Sequence, residues 1–130
     1  MSLQSPLGRV LGHGSAKSGA EHWLAQRLTA IGLMPLGLWF VFSMPGLAHG
    51  DFAAVTAWIG APLNAILLIL LVITMVWHSL LGTQVIIEDY VHGGTGTLLL
   101  ILTRFVHVIL AVAGVYAVVV ISLGSLGGVE

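Results

Sequence analysis

Three long apolar stretches dominate this sequence, and each is long enough to cross a lipid bilayer as a helix. They cover about residues 24–43, 58–83 and 97–122, and a spanning helix needs about 20 mostly apolar residues. Hydrocarbon offers the backbone no water, so a chain inside it must satisfy its N–H and C=O groups internally, as a helix does. We therefore predict an all-α integral membrane protein with three transmembrane helices, the first kinked at Pro35.

Charged residues are too few to cover a water-facing surface. They make up 7% of the 130 residues and hydrophobic residues make up 58%, whereas roughly a quarter of a soluble globular protein is charged. The net charge of −1 gives no basic surface for nucleic acid. Because the chain has no cysteine, it has no disulfide, thiolate zinc site or iron–sulfur cluster of its own, and only histidine or carboxylate could hold a metal.

The predicted membrane domain is small. Residues 1–22 are rich in Gly and Ser and lack the apolar run of a signal peptide, so we expect a flexible N-terminal arm followed by an anchor domain over residues 23–130. Three helices bury little of one another. Small residues four apart, such as Ala113 and Ala117, would let a further helix approach closely. We therefore expect partner subunits as well as lipid around the spans.

The distribution of Lys and Arg predicts the orientation, because these residues are enriched in cytoplasmic segments. The four basic residues are Arg9, Lys17, Arg27 and Arg104. Three of them precede or begin the first span, and the fourth lies near the start of the third. The N-terminus is therefore expected inside and the C-terminus outside.

His78 lies inside the second span, where an ionisable side chain is costly and marks a functional site by default. If the helix reaches the interface near Asp89, His78 lies about 16 Å deeper, at 1.5 Å per residue. Desolvation there favours the neutral imidazole, which is the form that binds metal. Gly82, one turn further on the same face, would leave space for a flat ligand, so the pair is typical of a haem pocket wall. The alternative is a structural histidine that is hydrogen-bonded to a neighbouring helix.

A single histidine supplies one axial ligand, so a six-coordinate b-type haem would need a second from this chain or another. His107 in the third span is the internal candidate, and packing or an interhelical hydrogen bond is its favoured role. The other histidines lie in the arm or in loops, where ordinary solvated side chains are expected: His13, His22, His49 and His92.

Asp89 and Tyr90 fall at the predicted inner interface, a depth that suits tyrosine because its ring is apolar and its hydroxyl is wet. A phenol can also donate a hydrogen bond to a quinone carbonyl, and a nearby carboxylate can orient it or relay protons. Arg27 either snorkels and sets topology or binds haem propionates in bidentate fashion. Arg104 offers the same choice, and we expect it to make a contact within an assembly.

The segment "HSLLGTQVIIEDYV" resembles the second span of the small cytochrome b membrane-anchor chain of succinate dehydrogenase, respiratory complex II. The family pattern of a haem-ligating His, a Gly four residues on, a Gln and an Asp-Tyr pair corresponds to His78, Gly82, Gln84, Asp89 and Tyr90. "RLTAI", over residues 27–31, resembles the family's Arg-x-Thr-Ala-Ile motif at the first span. The three-span layout and the length also agree, in the manner of the alphaproteobacterial branch.

The resemblance implies a subunit of a tricarboxylic acid cycle enzyme in the bacterial inner membrane. Succinate would be oxidised at a flavoprotein subunit, electrons would pass through an iron–sulfur subunit, and ubiquinone would be reduced at the membrane interface. This chain, which cannot catalyse the reaction alone, would anchor those subunits together with a second, larger cytochrome b chain. His78 would give one axial ligand to the iron of haem b, and Tyr90 would donate to a quinone carbonyl with Asp89 nearby.

Two other functions stay open from the residues. A haem b anchor of a different membrane oxidoreductase, such as a fumarate reductase or a formate dehydrogenase, would favour both ligands in one chain, as His78 with His107. A cofactor-free assembly subunit would instead have His78 as an ordinary core residue. The two predict different optical spectra, since only the first carries a b-type haem.

Overall fold

The structure is a computed structural model that describes residues 16–127, and these residues form four α-helices. The helices are α1 (Ala16–Leu47), α2 (Phe52–Gly60), α3 (Pro62–Tyr90) and α4 (Gly94–Gly127). By length and composition, three segments could cross a membrane: Gly19–Leu47, Pro62–Tyr90 and Gly94–Gly124. The prediction of an all-α protein with three transmembrane helices is confirmed.

The first helix is longer at both ends than the sequence predicted. It begins at Ala16, so the last seven residues of the expected arm over 1–22 are helical, while residues 1–15 lie outside the described part of the chain. It also continues through Pro35 and Pro45 instead of ending near residue 43. A proline removes one backbone donor, whereas ending the helix there would leave four carbonyl groups without helical partners, so continuing leaves fewer groups unbonded in hydrocarbon.

A short extra helix precedes the second span. The predicted spans left residues 44–57 between them, but Phe52–Gly60 forms α2. Its first turn is capped by the Asp51 carboxylate, which accepts a hydrogen bond from the Ala54 N–H at 2.8 Å. Trp58 therefore belongs to α2, and the second span begins only at Pro62. Proline suits this first helical position because its missing N–H would have no intrahelical partner there.

The second span, α3, lies at the centre of the fold and packs against both α1 and α4, while α2 packs on α3 and α4. Within the described residues, the buried hydrophobic side chains all come from α3: Ala65, Leu68, Leu71, Leu81 and Ile87. Large apolar side chains of the flanking helices point outward, as Phe42 of α1 does with 78% of its surface exposed. The apolar surface of α1 and α4 therefore lies largely outside the chain's own core.

Two glycines determine how closely α4 returns along α3. Gly93 has a φ of +77°, a left-handed conformation that suits glycine, and it forms the turn between the two helices. Gly114 of α4 lies against Val72, because a Cβ atom at this glycine would fall 2.8 Å from Val72 Cγ1. The "HGGTG" segment thus turns the chain between the second and third spans, and the missing side chain at Gly114 permits close helix contact.

Gly114→Ala should destabilise the protein by roughly 1–3 kcal/mol, because the branched Val72 side chain is stiff and the helices would have to move apart. Gly124→Ala is the matched control on the same helix, since no atom of the described residues lies within 4 Å of its added Cβ. Thermal unfolding of the detergent-solubilised protein measures both. Equal unfolding temperatures for the two variants would contradict the close contact.

Candidate functional site

His78 lies near the middle of α3, 16 residues after its first residue and 12 before its last. At 1.5 Å per residue these separations are about 24 Å and about 18 Å along the helix axis. The side chain is half-buried. The imidazole therefore lies far from both ends of a helix that is long enough to span a bilayer.

The imidazole of His78 is held by a hydroxyl group of the neighbouring helix. Its Nδ1 atom lies 3.0 Å from Thr29 Oγ1, and Thr29, at 6% exposure, is the buried polar residue among those described. The Thr29 hydroxyl also lies 2.9 Å from the carbonyl oxygen of Ala25 and 3.0 Å from that of Gln26. The other ring nitrogen of His78, Nε2, has no hydrogen-bond partner among the described residues.

Gly82 lies on the same side of α3 as His78, as predicted, and this side faces α1. A Cβ atom at Gly82 would lie 3.5 Å from Gln26 Nε2, so the glutamine side chain occupies the space next to this glycine. The sequence prediction assigned no role to Gln26. The signal that could have found it is the spacing of His22, Gln26 and Thr29, which places three polar side chains on one helical face.

We call these three residues of α1 the polar stripe. Two of its atoms, His22 Nε2 and Gln26 Oε1, are buried without a hydrogen-bond partner among the described residues. Buried polar atoms are nearly always paired in native proteins, so such exceptions point to a water, ion or ligand that completes the site. The sequence predicted a solvated side chain for His22, and the structure instead directs its ring into the protein.

An apolar cavity of about 470 Å³ opens between α1 and α3 beside Thr29. Its walls include Thr29 itself, Gly32 on the same helix, and Thr74 and Trp77 on α3. The Thr74 hydroxyl makes no hydrogen bond within the described residues. The space next to Thr29 is therefore mostly hydrocarbon in character.

His107 makes the interhelical contact that the sequence favoured for it. Its Nδ1 atom lies 2.8 Å from the Thr103 carbonyl oxygen, and its Nε2 atom lies 3.2 Å from Ser79 Oγ. Since a carbonyl can only accept, Nδ1 carries the proton and donates it, and Nε2 accepts from the Ser79 hydroxyl. Both ring nitrogens of His107 are thus engaged, whereas His78 has one nitrogen that bonds nothing in the described part of the chain.

Asp89, Tyr90 and Arg27 do not gather around His78. Tyr90, the last residue of α3, is 81% exposed, and Asp89 next to it is exposed as well. The Arg27 guanidinium stacks over the ring of Trp23 at 4.5 Å from its centroid, on the exposed side of α1. These side chains lie where molecules outside the chain can reach them.

Gln84, the remaining residue of the second-span pattern, is engaged on its own helix. Its side-chain amide donates to the Glu88 carboxylate at 2.8 Å, across one turn of α3. Arg104 is exposed on α4, where it lines a small apolar cavity of about 260 Å³. Neither side chain is hydrogen-bonded to His78, whose described hydrogen-bond partner is Thr29 of α1.

Comparison with known proteins gives a consistent set of matches. The family described as succinate dehydrogenase/fumarate reductase transmembrane subunit matches residues 1–110. Three relatives are each named "Succinate dehydrogenase hydrophobic membrane anchor subunit". The one from Rickettsia bellii is 44% identical over 78 residues, which is 60% of this chain and 62% of the relative. The one from Rickettsia conorii is 36% identical, covering 71% of this chain and 75% of the relative.

The relative from Paracoccus denitrificans extends the similarity to nearly the whole chain. It is 30% identical over 126 residues, which is 97% of this chain and 98% of the relative. No solved structure gives a significant match. The sequence similarity therefore covers all three spans, and the fold is known from the structure described above and not from a similar solved structure.

Ser79→Ala should lower the stability of the protein by roughly 0.6 kcal/mol, the average of measured interhelical hydrogen bonds within a membrane. The loss should disappear when His107 is already replaced by Ala, because the serine hydroxyl then has no imidazole to bond. A double-mutant cycle followed by unfolding in detergent measures this coupling. Equal effects of Ser79→Ala in both backgrounds would contradict the bond.

Proposed function

This chain belongs to the succinate dehydrogenase/fumarate reductase transmembrane subunit family, and from that premise we propose that it anchors succinate:ubiquinone oxidoreductase in the bacterial inner membrane and supplies one axial ligand to haem b. The observation that carries the proposal is the Nε2 atom of His78, which lies at mid-helix and bonds none of the described residues. On this proposal the chain is one subunit of the enzyme and does not catalyse the reaction by itself.

The haem assignment fits the donor set of the chain. One ring nitrogen of His78 is bonded to Thr29 and the other meets no partner within residues 16–127, which matches the usual arrangement of a metal-binding histidine. The cavity beside Thr29 offers an apolar wall to a flat ligand. When bound, haem b would accept and release single electrons.

A second axial ligand is proposed to come from the larger cytochrome b anchor. His107 is the histidine of the third span, and its two ring nitrogens are taken up by Thr103 and Ser79. If His107 bound haem through Nε2, its hydrogen bond to Ser79 would be lost. His107 also packs on a different side of α3 from the side on which His78 meets α1. This supports the succinate dehydrogenase anchor over an anchor that holds both ligands in one chain.

The quinone site is proposed to lie at the inner end of α3. Tyr90 is exposed there and can donate its hydroxyl proton in a hydrogen bond to a quinone carbonyl, while the adjacent Asp89 can orient the phenol or pass protons from water. Arg27, exposed on α1, provides a cation suited to haem propionates. Flavoprotein and iron–sulfur subunits would dock at this same side, where the N-terminus is also proposed to lie.

The exposed apolar faces of α1 and α4 support the proposed contact with a second anchor subunit. Phe42, Phe105 and other large side chains on these helices are more than half exposed in this chain. In a membrane they would contact lipid or the second anchor subunit. A chain with so little core of its own is well suited to folding against a partner.

His78→Ala removes the axial haem ligand proposed for this chain. The reduced-minus-oxidised spectrum of the purified assembly should therefore lose its b-type band. Ser79→Ala is the matched control, because it removes the neighbouring side chain and leaves His78 and Thr29 in place. A full b-type band in His78→Ala assembly would overturn the haem assignment. Absence of any b-type band in the wild-type assembly would favour the cofactor-free subunit.

Tyr90→Phe should slow succinate-to-quinone turnover by about tenfold, the equivalent of one hydrogen bond of roughly 1.4 kcal/mol, and leave the haem spectrum unchanged. Tyr116→Phe serves as the control, since Tyr116 is a 68% exposed tyrosine of α4 outside the proposed quinone site. Turnover is measured in membranes with a soluble quinone. Equal rates in the wild type and Tyr90→Phe would remove Tyr90 from the site.

A further inference from the structure

We propose that Thr29 is a positioning residue that fixes the tautomer of His78, so that Nε2 is the nitrogen presented to iron. This inference rests on the haem ligation proposed above and adds a residue of α1 to it. Its basis is the geometry of a single hydroxyl that lies within hydrogen-bond distance of the imidazole and of two backbone carbonyl oxygens.

The proton count of this arrangement has one favourable solution. The Thr29 hydroxyl carries one hydrogen and two lone pairs, and a carbonyl oxygen can only accept. The contacts of 2.9 Å to the Ala25 oxygen and 3.0 Å to the Gln26 oxygen therefore require the hydroxyl hydrogen to point at the backbone, where the two carbonyls share it. A lone pair of Oγ1 then faces His78, so Nδ1 carries the ring hydrogen and donates it at 3.0 Å.

The alternative proton arrangement leaves bonds unmade. If the hydroxyl donated to Nδ1, its oxygen would lie close to two carbonyl oxygens with no hydrogen between them. The ring hydrogen would then sit on Nε2, which has no acceptor among the described residues. An unbonded donor in an apolar environment is unfavourable by roughly 1–3 kcal/mol, so the first arrangement wins.

The burial of Thr29 strengthens its hold on the tautomer of His78. Thr29 is 6% exposed, and its hydroxyl is held by the backbone of α1, so water cannot readily take its place. Of the other α3 hydroxyls close to His78 in sequence, that of Thr74 makes no hydrogen bond within the described residues, and that of Ser79 is bonded to His107. Thr29 is thus the described side chain that holds Nδ1 of His78.

The same bond should tune the iron. A histidine that donates its second N–H to an acceptor becomes a more basic ligand, which stabilises the ferric state over the ferrous state. Losing the acceptor should therefore raise the midpoint potential of the haem and weaken its retention. Outer-sphere partners of this kind are typically worth about 10- to 100-fold in metal affinity.

Thr29→Val tests the proposal, because valine keeps the shape of threonine and removes the acceptor. In the purified assembly we expect a higher haem midpoint potential and about 10- to 100-fold faster loss of haem to a haem-scavenging protein. Thr29→Ser, which keeps the hydroxyl, should restore wild-type values on both measures. Ser79→Ala is the control for removing a hydroxyl next to His78, because the Ser79 hydroxyl bonds His107 and not His78, and it should change neither measure.

The outcomes separate this proposal from the haem assignment itself. A b-type band that disappears in His78→Ala, together with a Thr29→Val assembly identical to wild type in potential and haem retention, would overturn the role of Thr29 alone. A band that survives in His78→Ala would overturn the ligation on which it rests. If Thr29→Val does not assemble, Thr29→Ala serves as the hydroxyl-free variant in the same measurements. Equal changes of midpoint potential and haem loss in Thr29→Ser and in the hydroxyl-free variant would also refute the proposal.

Discussion

Hydrocarbon gives a polar side chain no water to bond, and this constraint explains where the histidines within the spans lie. His78 and His107 each meet a hydroxyl of a neighbouring helix, Thr29 of α1 in one case and Ser79 of α3 in the other. The two histidines differ in whether their second ring nitrogen is also hydrogen-bonded. His107 also bonds a backbone carbonyl through its second nitrogen, while His78 keeps Nε2 unbonded within the described chain. That difference is the basis for proposing His78, and not His107, as the haem ligand.

The fold leaves its functional groups at the boundary of the chain. α3 supplies the buried hydrophobic residues that the structure describes, and the apolar sides of α1 and α4 face outward. Tyr90 is exposed at the end of the same helix that carries His78 in its middle. This layout suits a subunit whose proposed haem and quinone sites are completed by other chains, because His78 is only half-buried and Tyr90 is exposed.

The sequence was enough to predict the three spans and the position of His78 deep within the second, since these follow from apolar run length and helix rise. It misplaced helix ends, because it ended the first span near residue 43 and began the second at Trp58, whereas α1 continues to Leu47 and α3 begins at Pro62. It gave no role to Gln26 and named Thr29 only as part of a motif. Which side chain meets His78 depends on how α1 and α3 are rotated against each other, and that rotation is set by tertiary packing.

A density map of the assembled complex, at a resolution that separates the imidazole from its neighbours, tests the central claim most directly. We expect a porphyrin iron on Nε2 of His78, with Nδ1 within hydrogen-bond distance of Thr29 Oγ1. A map in which the His78 ring touches only side chains, or in which iron is bound through Nδ1, would contradict it.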